Sequence, residues 1–252
     1  MNAIRFLAGS LLILFFVACE PPPGERKKKK EETKEIKEEI EKKDPVQEVI
    51  VQPEPEPEQN ANAHMHDRPV SELIERFESE ARDNYQKPQK LLGYLGNLKG
   101  KRIMDIGAGS GYFSVKLADR GAQVIAADVN EEFLAHVRQR IKNEGYGGQI
   151  ETRLIPKDSP GLSEGEVDMV LVVNTYHHII NRVEYFKKVR KGLATDGELV
   201  VVDFFKIKLP VGPKVNHKIS MDEVIQELKQ AGFNHLSAEV SLLPYQYIIR
   251  AQ

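Results

Sequence analysis

Three glycines at alternate positions, Gly107, Gly109 and Gly111, lie between two acids, Asp105 and Asp128. These residue types at this spacing suit a nucleoside ligand. Alternating glycines make a tight turn and let a ligand approach the backbone closely. An acid about twenty residues further on suits ribose hydroxyls, and Asp128 stands slightly short of that spacing. A carboxylate just before the first glycine is poorly placed for a pyrophosphate but suits a ligand with an ammonium group. A second cluster, Asn174-Thr175-Tyr176-His177-His178, gathers hydrogen-bonding and titratable side chains in consecutive positions. Histidine changes charge near neutral pH and can take a proton from a hydroxyl.

Both clusters need rigid elements behind them. Ile103, Met104 and Ile106 read as a short buried strand entering the glycine turn. Tyr112 to Arg120 reads as the helix that follows, with Phe113 and Leu117 on one face and Gly121 as its stop. Gln123 to Ala127 is a second strand that ends at Asp128. Val167 to Val173 is a nearly continuous apolar run, the pattern of a central parallel strand buried on both faces. It opens into Asn174 to His178, and the carboxyl ends of such strands line the ligand crevice. At least one of Tyr176, His177 and His178 is therefore expected to face the site, the others standing behind it or serving the fold.

The run Asp105-x-Gly107-x-Gly109-x-Gly111, followed by the helix, strand and acid, resembles motif I of the class I S-adenosylmethionine (AdoMet) methyltransferases. The resemblance spans about Val70 to Gln252, and motifs beyond the first are looser. It implies an α/β fold: a Rossmann-like, mostly parallel sheet of seven strands, a C-terminal antiparallel hairpin, and helices on both faces. It implies AdoMet as cofactor, with Asp128 on the ribose and Asp105 and the glycines along the methionine end. Asn174 joins this set at the end of the central strand. The family commonly places an acid against adenine after the third strand, which makes Asp158 in Pro156-Lys-Asp-Ser-Pro160 the candidate. An aspartate held in a proline-flanked turn is the alternative. Tyr85 is a candidate cover over the ligand, or simply an amphipathic residue at a helix end. His177 or His178 is expected to act as base.

The remaining elements follow in order. Val70 to Tyr85 carries a helical stripe through Leu73, Ile74 and Phe77, and Leu91 to Leu98 suggests another helix. Asn130 caps a helix to about Asn143. Gln149 to Ile155 is a third strand, Arg182 to Lys191 a helix, and Glu198 to Asp203 a fifth strand after a turn at Gly192 to Gly197. Ser220-x-x-Glu223 is a capping box opening a helix to Ala231. Ser237 to Leu243 and Tyr245 to Ala251, parted by Pro244, read as the closing hairpin.

The N-terminal quarter has a different composition. Phe6 to Ala18 is an apolar run too short to span a bilayer. It ends in Phe16-Val17-Ala18-Cys19, which resembles a bacterial lipoprotein signal with Cys19 as the lipidated residue. Phe16 stands where such signals usually carry Leu; an ordinary signal peptide or short anchor is the alternative. Residues 1–18 are thus expected to be a signal peptide and residues 19–63 a disordered Lys/Glu/Pro-rich tether. Residues 64–252 form the folded domain, held at the cell envelope by its lipid. His64 and His66 have the spacing to chelate, but no third ligand lies nearby, and no metal is expected.

Of the chain's 252 residues only one is cysteine, which excludes an intrachain disulfide and a cysteine-ligated metal. A net charge of −2, with no concentration of positive charge on a folded segment, argues against a nucleic-acid partner. The expected reaction is methyl transfer to a small molecule; the oligomeric state is not fixed. Arsenite-type methylation relies on cysteines that the domain lacks. Asn174-Thr-Tyr-His177 replaces the Asn/Asp-Pro-Pro-aromatic motif of nucleobase amino-methyltransferases. Two rival readings are a non-catalytic AdoMet-binding lipoprotein and a nicotinamide-dependent oxidoreductase. The glycine spacing and Asp105 stand against the second.

Overall fold

The structure, a computed structural model, describes residues 68–252. Cys19, the Lys/Glu/Pro-rich stretch and the His64–His66 pair lie outside the described residues. Among the described residues three short helices come first: α1 (Val70–Phe77), α2 (Glu80–Gln86) and α3 (Pro88–Leu95). The expected single helix over Val70 to Tyr85 is two. Ser79 breaks it by accepting the Arg82 N–H on its side chain, so it caps a new helix instead of continuing the old one. Pro88 then opens α3 at its first turn, where a missing N–H costs nothing.

A seven-stranded sheet follows, in the order β3-β2-β1-β4-β5-β7-β6. Its members are β1 (Arg102–Ile106), β2 (Gln123–Asp128), β3 (Ile150–Leu154), β4 (Val167–Val173), β5 (Leu193–Phe204), β6 (Leu236–Glu239) and β7 (Gln246–Ala251). The first five strands run parallel; β7 runs antiparallel to both β5 and β6. The expected fold class is therefore the observed one. Between strands lie α4 (Tyr112–Ala118), α5 (Glu131–Glu144), α6 (Arg182–Gly192) and α7 (Met221–Gln230).

Two boundaries differ from expectation. β5 begins at Leu193, paired with Val167, but the register then jumps so that Met169 faces Glu198. Residues 194–197 are thus an excursion within the strand, and continuous pairing starts at the Glu198 read from sequence. β6 stops at Glu239, short of Leu243. The Glu239 carboxylate accepts from the N–H groups of Ser241 and Leu242, and this local turn competes with the ladder.

Side-chain alternation divides the core between the two sheet faces. Met104, Ile106, Val170, Val172, Val201 and Ile249 pack under α6 and α7, with Phe186, Val189, Val224 and Leu228. Ile103, Met169, Leu171, Val200, Val202 and Ile248 pack under α3, α4 and α5, with Leu91, Leu117 and Val137. Asp105 falls on this second face by the same period, and that puts a carboxylate beneath α4.

Candidate active site

The parallel strands share one carboxyl edge, and the chemistry-bearing residues collect along it. Gly107, Gly109 and Gly111 have φ of +73°, +54° and +79°, a left-handed conformation that L side chains rarely adopt. A Cβ at Gly107 would lie 2.3 Å from the Thr175 hydroxyl oxygen, so space as well as backbone demands glycine. Gly107 and Ala108 donate to the Ala127 carbonyl, tying the turn to β2. Asp128 completes the tie: its two carboxylate oxygens accept from the N–H groups of Gly109 and Asn130, each at 2.9 Å. Burial raises the Asp128 pKa, against the lowering effect of these N–H groups.

Asp105 is buried and accepts a hydrogen bond from Ser114 on α4 at 2.7 Å. Desolvation pushes its carboxyl up to about 6, opposed by Ser114 and the Arg82 guanidinium. Arg82, on α2, lies 4.0 Å above the Tyr112 ring and donates to the Phe77 carbonyl. Its Nε is buried without a hydrogen-bond partner. A buried guanidinium with an orphaned donor beside a glycine turn is the environment a ligand carboxylate would complete. Methionine's carboxylate and ammonium fit Arg82 and Asp105, so these residues suit AdoMet.

α1 lies over the turn. A Cβ at Gly109 would sit 3.2 Å from the Phe77 ring, and Phe77 stacks on Phe133 of α5 at 5.8 Å. Glu78 follows, accepting from Ser110 of the turn and from Arg140 of α5. Tyr85 packs 6.0 Å from Phe204, at the end of β5. Asp158 is exposed, and its backbone carbonyl accepts from Lys188.

The second cluster separates into distinct roles. Asn174 adopts φ +56°. Its amide closes a ring with Gln86 of α2 and Gln246 of β7: Gln86 donates to Gln246 at 2.8 Å, Gln246 to Asn174 at 2.5 Å, and Asn174 to Gln86 at 3.0 Å. The Asn174 amide thus clamps α2 to the strand edge. Tyr176 is fully buried, stacked on Phe186 at 4.7 Å, with its hydroxyl donating to Glu227. That placement sets Tyr176 in the core below α6. His177 Nδ1 lies 2.9 and 3.0 Å from the two oxygens of Asp203, which is wholly buried at the end of β5. A carboxylate only accepts, so Nδ1 carries the hydrogen and Nε2 is the basic nitrogen. His178 packs 4.2 Å from the His177 ring, and burial holds its pKa at about 3, helped by His177 and His217. It stays neutral at physiological pH.

Gln246 carries no signal in the sequence; Arg82 and Gln86 lie in a stretch, Arg82 to Pro88, more polar than a packing helix needs, and Asp203 is expected from the sequence only to close its strand beside the second cluster. Arg82 and Gln86 look like the polar face of a helix, and only their burial distinguishes them. Asp203 lies 26 residues from His177 and pairs with it only because β4 and β5 are neighbours. Among the described residues, no group of three His, Cys, Asp or Glu side chains is placed to hold a metal.

A glycine turn tied to an acid at the next strand end, on a sheet of order 3-2-1-4-5-7-6, is the arrangement of the Rossmann-like methyltransferase fold. Residues 104–201 of the chain match the family model described as a methyltransferase domain. The ubiquinone/menaquinone biosynthesis C-methyltransferase UbiE of Hydrogenovibrio crunogenus is 22% identical over 160 residues, covering 60% of this chain and 63% of that protein. The tRNA U34 carboxymethyltransferase of Psychrobacter arcticus is 31% identical over 124 residues, covering 46% of this chain and 35% of that protein. The chain therefore spans less than two thirds of these relatives. A crystal structure of a SAM-dependent methyltransferase from Aquifex aeolicus superposes with a TM-score of 0.67 at 21% identity, over 73% of this chain and 98% of that one.

Proposed function

We propose that this chain is an AdoMet-dependent methyltransferase acting on a small-molecule hydroxyl. The observation that carries the reading is His177, held by the buried Asp203 on the same strand edge as the glycine turn. AdoMet, when bound, supplies an electrophilic methyl group on a sulfonium. Asp128 would accept from the ribose hydroxyls, the glycine turn would admit the ligand against the backbone, and Asp105 and Arg82 would take the methionine ammonium and carboxylate. His177 Nε2 takes the acceptor's proton. Asp203 holds the imidazole in that tautomer and stabilises the positive charge it gains. His178, neutral and packed on His177, keeps the imidazole in place without competing for the proton.

Turnover of methyl-labelled AdoMet against a panel of small hydroxylated acceptors tests this. His177→Ala should lower turnover by about 10²–10⁴ with AdoMet affinity nearly intact. A variant that keeps its turnover, or that loses AdoMet binding equally, removes the base assignment. We also propose that Cys19 is lipidated and carries the domain on a membrane, as the sequence preceding it suggests. Cys19→Ala should release the mature chain from membranes or block its processing, and wild-type chain retaining Met1 in cells would overturn this.

A further inference from the structure

Between β5 and α7 runs a segment with an unusual mixture of residues. Phe205-Lys-Ile-Lys-Leu-Pro-Val-Gly-Pro-Lys-Val-Asn-His-Lys-Ile219 carries lysines at 206, 208, 214 and 218 and no acid. Its inward residues hold its shape. Lys218 is buried and its Nζ donates to the Ile207 carbonyl at 2.8 Å, fixing the base of the loop. Gly212, at φ +87°, lies so close to Phe204 that a Cβ would come within 2.8 Å of that ring.

What remains faces outward. Ile207 is 58% exposed and Val215 41%. Lys208 and Lys214 stand exposed between them, with no carboxylate paired to either among the described residues. Lys206 shares Glu223 at 3.5 Å. Ile180, 45% exposed, follows β4; since β4 and β5 are parallel neighbours, it lies on the same edge as the loop. A lone exposed aliphatic residue means little. Aliphatic tips interleaved with unpaired cations are the composition of a membrane-surface element.

We infer that this edge docks on an anionic lipid surface, with Ile207 and Val215 entering the headgroup region and Lys208 and Lys214 pairing with lipid phosphates. A nucleic acid or acidic protein would satisfy the lysines but leave the aliphatic tips without a partner. The chain as a whole carries −2, so its electrostatic attraction to an anionic surface comes from a local cationic edge, and that sets its orientation. Docked in this way, the strand edge that carries the glycine turn and His177 faces the bilayer. The inference is independent of both methyl transfer and any anchor at Cys19.

The chain has no tryptophan, so Ile207→Trp in the full chain creates a single reporter. Its emission should shift to the blue, and be quenched by bilayer-embedded quenchers, on vesicles containing phosphatidylglycerol but not on pure phosphatidylcholine vesicles. Val215→Trp supplies a second reporter should the first misfold. Adding Lys208→Gln and Lys214→Gln should weaken partitioning of the loop roughly 30-fold, about fivefold per lysine. Raised salt should act in the same direction. An unshifted emission with anionic vesicles, an equal shift on neutral vesicles, or the same shift with soluble polyphosphate would each overturn the inference.

Discussion

Asp105 is the residue through which acidity reaches the proposed cofactor site. Burial pushes its carboxyl up to about 6, so the folded chain takes up a proton there that the unfolded chain binds only near pH 4, roughly the ordinary carboxylate value. The folded state binds more protons in that window. Asp105's contribution to stability should therefore increase as pH falls from about 6 to about 4, and AdoMet affinity should change the other way. A protonated carboxyl no longer attracts an ammonium group, so affinity should weaken below about pH 6. Asp105→Asn should bind more weakly and show no such pH dependence in a titration series; an unaltered pH profile would detach Asp105 from the ligand. The glycines and both acids were legible because a positive-φ turn and a strand-end acid impose residue types locally. The amide ring was not, since Gln86 and Gln246 are 160 residues apart and only the sheet brings them together.

At the scale of elements, two helix starts make opposite points. Ser220-x-x-Glu223 was readable as a start, and Ser220 indeed accepts the Glu223 N–H at 3.3 Å. Ser220→Ala should cost about 1 kcal/mol. For a domain of this size that is a melting point lower by about 2–4 °C, measurable by calorimetry. Ser79, by contrast, was hidden inside a continuous apolar stripe, and periodicity alone does not reveal a cap that interrupts it. Its consequence is functional. The break between α1 and α2 lets Phe77 lie on Gly109 while Glu78 reaches Ser110 and Arg140. Glu78→Ala should loosen this cover. Because the pair is partly exposed, the loss is about 1 kcal/mol, and stopped-flow measurements should find AdoMet dissociating about fivefold faster. An unchanged dissociation rate would mean that α1 does not gate the turn.

For the molecule as a whole, the succession of strands and helices along the chain is readable from the apolar runs and turn residues, and the seven-stranded sheet is what the family resemblance implies; the spatial order of the strands comes from the structure. The crowding of Asp203, His177 and His178 followed from topology and was not contained in any local run. The composition of the N-terminal stretch gives it little apolar surface to bury, so a chain starting at Ala63 should melt at the same temperature as one starting at Glu20. The proposed function rests on AdoMet binding at the glycine turn with Asp128 on its ribose. Calorimetric titration of AdoMet into the wild-type chain and Asp128→Asn tests it most directly. Losing charge-assisted hydrogen bonds while keeping shape should weaken binding by about 1.5–3 kcal/mol, roughly 10- to 150-fold, with NAD giving no heat in either chain. Equal AdoMet affinity in the two chains, or no AdoMet binding in the wild type, would contradict the account.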